Sequence, residues 1–134
     1  MEKENLLQDH LEGLLGEGIY HVMMINKMGR VEAEAVKRDI SLPYEKREVF
    51  SMGLRLHLSL LQEFDQEFGA VEHFVVRRKK VKIVSVPFGQ RALVFVMDSN
   101  SSHDEVVRKA GIAGSLESSI PGAEPLHVEA VVHG

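Results

Sequence analysis

The chain has 134 residues, 44% of them apolar and 27% charged, with a formal net charge of −4. That is the profile of one globular domain, long enough to bury about two-thirds of its unfolded surface. With no cysteine it has no disulfide, thiolate metal site or cysteine nucleophile. The acidic balance argues against a general nucleic-acid binder, and no apolar run approaches the roughly 18 residues of a membrane span. Met1-Glu2-Lys3-Glu4-Asn5 is mixed in sign, unlike a secretory signal, so the expected compartment is the cytoplasm.

Leu6, Leu7, His10, Leu11, Leu14 and Leu15 recur at helical spacing and predict a short amphipathic helix, punctuated by Gly13, Gly16 and Gly18. Ile19 to Ile25 is apolar at odd and even positions alike, as in a central strand covered on both faces. Asn26-Lys27-Met28-Gly29 reads as a hairpin turn, with Gly29 supplying the positive φ. Arg30 to Val36 alternates Val31, Ala33 and Ala35 against Arg30, Glu32 and Glu34, the pattern of an edge strand. Lys37 to Leu42 is a polar connection in which Ser41 is placed to cap the next helix, with Glu45 and Glu48 near its positive end.

The next stretch, Tyr44 to Phe68, has no Pro inside it, follows Pro43 and stops at Gly69, so it predicts a single long helix. Such a helix would measure roughly 37 Å. Its apolar residues, from Leu56, Val49 and Leu60 round to Leu61, Leu54 and Leu58, fill an arc of roughly 200°, where a surface helix shows a stripe about 100° wide. One flank can lie on the chain's own sheet. The other needs a second cover.

Val71, His73 and Val75 alternate with Glu72, Phe74 and Val76 to give a third strand, and Arg77-Arg78-Lys79-Lys80 makes a charged turn. Val81 to Phe88 is a fourth strand. Ala92 to Met97, apolar on both faces, is a fifth and central one. Ser102-His103-Asp104-Glu105 is a capping box opening a short helix through Val106, Val107 and Ala110. From Gly111 on, Gly, Ser and Pro accumulate, which divides the chain into a domain at 1–110 and an extension at 111–134, with Leu126 to Val132 a candidate added strand. The predicted architecture is α+β: a five-stranded, mainly antiparallel sheet in the order 2-1-5-4-3. The long helix covers one face and the terminal helices the other.

Chemical motifs are sparse. Seven histidines are present, but none forms a His-Glu-x-x-His pattern. His57 on the long helix, near Gly53, suits a buried or dimer-interface histidine, and an intersubunit zinc or pH-sensing role for the histidines is the sharper alternative. Arg77, Arg78, Lys79, Lys80 and Lys82 form a candidate basic patch near Phe74, set against a solvated hairpin tip. Asp98-Ser99-Asn100-Ser101-Ser102 starts like a calcium loop but places His103 where Gly is required and Lys109 where Glu is required. The Ser, His and Asp of that stretch are explained by helix capping. Gly13, Gly16 and Gly18 precede a strand instead of following one, which excludes a dinucleotide cradle. No catalytic residue, metal or cofactor is expected.

Several segments together resemble the dynein light-chain roadblock superfamily. They are Met24 to Val31, the long amphipathic helix, Ala70 to Val76, Val84-Ser85-Val86-Pro87-Phe88-Gly89 and Leu93 to Asp98, and the match runs roughly from Leu11 to Ala110. Met28 stands where the family has Asp before the hairpin Gly, and the tail after Gly111 has no counterpart. The resemblance implies a profilin-like sandwich that dimerises by packing long helices together and joining third strands. It also implies a non-enzymatic adaptor or regulator, often a partner of Ras-like GTPases. The residues expected at the homodimer interface are Phe50, Gly53, Leu54, His57, Leu61, Phe64, Phe68, Val71, His73 and Val75. Two other classes stay open: a small-molecule sensor with Met23, Met24 and Met97 lining a cavity, and an RNA-associated protein using the basic turn.

Overall fold

The structure, a computed structural model, describes residues 2–117. Nine elements follow in order: α1 (Glu2–Leu14), β1 (Ile19–Ile25), β2 (Val31–Val36), α2 (Tyr44–Gln62), α3 (Asp65–Phe68), β3 (Phe74–Arg77), β4 (Val81–Phe88), β5 (Arg91–Asp98) and α4 (Asp104–Glu117). The sheet order is β2-β1-β5-β4-β3, and every neighbouring pair is antiparallel, the central β1–β5 pair included. This is the α+β architecture that the strand patterns predict. The strands without a polar face take the middle because both of their faces must be covered.

The alternation of β1 and β5 divides the core in two. Val22, Met24, Leu93, Phe95 and Met97 point to one face, where Leu11 and Leu14 of α1 and Val106 and Ala110 of α4 close over them. Met23, Ile25, Ala92, Val94 and Val96 point to the other, beneath Leu54 and Leu58 of α2. Burying a side chain of this size contributes about 1.5–3 kcal/mol. The sheet is thus a double-sided floor, with α2 alone on one side.

The β1–β2 hairpin turns as expected. Gly29 has φ +80°, its N–H donates to the Asn26 carbonyl at 2.9 Å, and Asn26 Oδ1 accepts from Met28 N–H at 2.9 Å and Arg30 N–H at 3.1 Å. At α4, Ser102 Oγ accepts from Asp104 N–H at 3.2 Å. Glu105, the other half of the expected capping box, lies beside Arg108 at 3.6 Å.

Three local expectations need correction. The long helix does not run to Phe68. Glu63 N–H reaches back to the Leu60 carbonyl and Phe64 N–H to the Leu61 carbonyl, three-residue bonds that tighten the last turn, and Phe64 leaves the helix at φ −105°, ψ 16°. The short α3 then ends at Gly69, φ +88°. Ser41 does not cap α2: Pro43 is the N-cap and no side chain caps it. Ser41 instead sits at φ +59°, its N–H held by Asp39 Oδ1 at 2.9 Å in an Asx turn. The third strand begins only at Phe74, so Val71 and His73 precede it. The candidate strand over Leu126 to Val132 lies outside the described residues.

Candidate functional site

Helix α2 has two different apolar sides. Its inner side, Ser51, Leu54 and Leu58, is buried on the sheet, and Phe50 packs half-buried at the edge of that cluster. Its outer side carries Val49 at 72% exposure, Leu56 at 61% and Leu60 at 55%, with Met52 beside them. These residues stand at i, i+3, i+7 and i+11, so they form one stripe about 16 Å long. Gly53 lies within it, and a Cβ placed there would meet nothing within 4 Å. Beyond the helix end, exposed Phe64 and Phe68 continue the apolar surface with ring centroids 6.2 Å apart. Contiguous apolar surface of this kind marks an interaction site.

The residues expected at an interface therefore divide. His57, Leu61, Phe64 and Phe68 are exposed and Gly53 is open. Leu54, in contrast, is 6% exposed beneath α2 and belongs to the chain's own core. Its position at the inner end of the apolar arc accounts for this. Val49, Leu56 and Leu60, at the arc's opposite end, are the outward residues that the expected set lacked. Val71 packs against the α2-side core, and Val75 against the core beneath the terminal helices. β3 itself pairs only with β4, so its other edge carries no strand among the described residues.

The charged turn also divides. Arg77, Arg78, Lys79 and Lys80 line a groove of about 1100 Å³ on the α2 side of the sheet, together with Arg38 and Lys46. Lys82 is not part of that patch. It is 5% exposed, and its ammonium donates to the Ser101 carbonyl and lies 3.3 Å from His103 Nδ1. Strand alternation sends it away from the hairpin surface, toward the start of α4.

Other polar groups are structural in placement. His21 is buried with Nε2 3.1 Å from the Glu34 carboxylate. The His73 and His103 rings meet at a tilt of 55° with centroids 5.7 Å apart. Among the described residues, no three His, Asp or Glu side chains come together as a metal cluster would require. Arg55 runs along α2 toward Gln62 Oε1 at 3.4 Å, and burial lowers its pKa. The three methionines expected to line a ligand cavity lie on opposite faces of the sheet, Met24 and Met97 under the terminal helices and Met23 under α2. They share no common space.

Comparison of the whole fold with solved structures places this geometry. MglB, the gliding protein of Thermus thermophilus, superposes with a TM-score of 0.72 at 16% identity, covering 90% of this chain and 91% of that one. The roadblock/LC7 domain from Streptomyces avermitilis superposes at 0.69 and 12% identity, over 84% of this chain and 94% of that one. The chain has the roadblock fold. Profilin from Schizosaccharomyces pombe matches at a TM-score of 0.58 and 12% identity, over 85% of this chain and 98% of that one, so the roadblock sheet and its covering helices are profilin-like in outline. No protein-family model and no curated protein matches the sequence. The roadblock fold is held here by its pattern of buried positions and not by shared residue identities. Among the described residues, no helix of it is long and apolar enough to cross a membrane.

Proposed function

We propose that this protein is a non-enzymatic adaptor that works as a homodimer, with the outer stripe of α2 packing against the same stripe of a second copy. Carrying the proposal is the exposure of Val49, Leu56 and Leu60 on a helix whose opposite side is already buried. A twofold pairing through these residues is self-complementary, as an isologous interface requires. Open Gly53 lets two helices approach closely, and β3 offers a second edge that pairs with no strand among the described residues. The resemblance to roadblock proteins implies the rest: the paired helices and sheet present a platform to a partner protein, a small Ras-like GTPase in the cytoplasm.

Sedimentation velocity at micromolar concentration tests the dimer. The wild type is expected at twice the chain mass and Leu56→Asp/Leu60→Asp at the chain mass, with unchanged circular dichroism. A wild-type monomer would overturn it. For the partner, a small GTPase should copurify with the wild type from native lysate and be lost with the double variant.

A further inference from the structure

Six of the chain's sixteen Lys and Arg residues line a single groove, which holds one of its twenty carboxylates. Two stretches distant in sequence build it, the first running from the connection into α2. The connection before α2 supplies Arg38, the first turns of α2 supply Lys46, and the β3–β4 hairpin supplies Arg77, Arg78, Lys79 and Lys80. Phe50, Val76 and Ile83 form an apolar floor between them. In a chain of net charge −4, this concentration of cations is a local reversal of sign.

The groove is held in shape before anything enters it. Lys37 and Arg38 N–H both donate to the Tyr20 carbonyl, at 2.8 and 3.1 Å, which ties the connection to β1. The Arg38 guanidinium stacks on the Tyr20 ring at 4.9 Å. Asp39, the groove's single acid, is already engaged by Arg47 at 3.7 Å and by Ser41 N–H at 2.9 Å. No described carboxylate neutralises Arg77, Arg78, Lys79 or Lys80. Cations brought together without a counter-charge repel one another, and an anionic ligand relieves that repulsion.

We infer that this groove binds an acidic peptide segment of a partner protein, its carboxylates on the Arg77–Lys80 and Arg38/Lys46 rims and its aliphatic side chains on the Phe50–Val76–Ile83 floor. The volume, about 1100 Å³, lies just above the usual range of small-ligand pockets, which suits a peptide better than a lone ion. Single-stranded nucleic acid is the weaker fit, since such sites offer successive free aromatic faces for stacking. Here the Tyr20 face is taken by Arg38, and most of the floor is aliphatic. The inference goes beyond the homodimeric adaptor, because the groove is complete in one copy and uses none of the outer stripe of α2.

Fluorescence anisotropy on the full chain tests it with a labelled peptide of repeated Glu-Glu-Leu-Leu units, about a dozen residues long. Controls carry Gln for every Glu or Ser for every Leu, and a labelled oligouridylate serves as the nucleic-acid probe. The acidic apolar peptide should bind, with affinity falling as salt rises. Arg77→Glu/Lys80→Glu should weaken it at least tenfold. Ile40 also lines the groove and packs against the α2-side core, so Ile40→Ser should weaken binding with an unchanged salt dependence. Absence of binding, equal binding by the Gln peptide, indifference to the double reversal, or tighter binding of oligouridylate would each overturn the inference. Sedimentation of the same samples keeps the two proposals apart. A monomer that binds the peptide keeps the groove and loses the dimer, whereas a dimer that ignores it does the reverse.

Discussion

Gly29, at the tip of the β1–β2 hairpin, lies against the backbone of Met52 on α2: a Cβ on Gly29 would stand 2.7 Å from the Met52 Cα. This contact sets how closely the hairpin crosses the helix. Arg30 and Glu48 approach at 3.6 Å across the same junction. Two requirements coincide at Gly29, a φ of +80° and no side chain. Gly29→Ala should therefore cost about 2 kcal/mol or more, through left-handed strain and a backbone clash that no rotamer relieves. Urea denaturation measures it, and a loss below about 0.5 kcal/mol would mean that the crossing is loose.

Leu58 and Leu56 are two residues apart on α2 and do opposite work, one 1% and the other 61% exposed. Leu58→Ala removes a core side chain and should cost about 2–5 kcal/mol at any protein concentration. Leu56→Asp should leave the folded chain intact and abolish the rise in apparent stability with concentration that a folded dimer confers. Thermal unfolding at two concentrations a hundredfold apart checks both. A wild-type midpoint independent of concentration would count against the dimer.

These paired outcomes mark where sequence stops being legible. Ile19 to Ile25 and Ala92 to Met97 reveal their central positions because a strand apolar on both faces can only be covered on both, and sheet order follows from that with the hairpins. The roughly 200° arc on α2 likewise signals a helix with two apolar duties. Which end of the arc meets the sheet is set by the rotation of the helix over Val94 and Val96, a tertiary fact with no local signature. The break at Phe64 and the left-handed Ser41 escape notice for the same reason, since neither carries Gly or Pro. The basic groove is half visible: Arg77 to Lys80 are adjacent in sequence, but Arg38 and Lys46 join them only through the fold.

Two serines expected to cap helices should now respond differently. Ser102 Oγ accepts from Asp104 N–H, so Ser102→Ala should cost about 1 kcal/mol. Ser41 makes no cap and occupies φ +59°, where a side chain is a liability. Ser41→Gly should relieve that strain and raise stability by a few tenths to about 1 kcal/mol. Chemical denaturation of both variants decides, and a loss at Ser41→Gly would contradict the left-handed conformation.

Lys82 is a buried ammonium whose role is local. It donates to the Ser101 carbonyl and faces His103 Nδ1 at 3.3 Å, and for that nitrogen to accept, the ring proton must sit on Nε2. Lys82→Met keeps most of the stem's packing and removes only the charged donor. The Ser101 carbonyl and the His103 nitrogen then lose their partner, at a cost of about 1–3 kcal/mol. A solvated hairpin lysine would instead tolerate the change within about 0.5 kcal/mol. Because Val107 N–H bonds to the His103 carbonyl at 3.0 Å, the first turn of α4 should loosen together with the lost contact. Faster hydrogen exchange at the Val107 amide, without a comparable change at Val94 in the sheet, would locate the damage there.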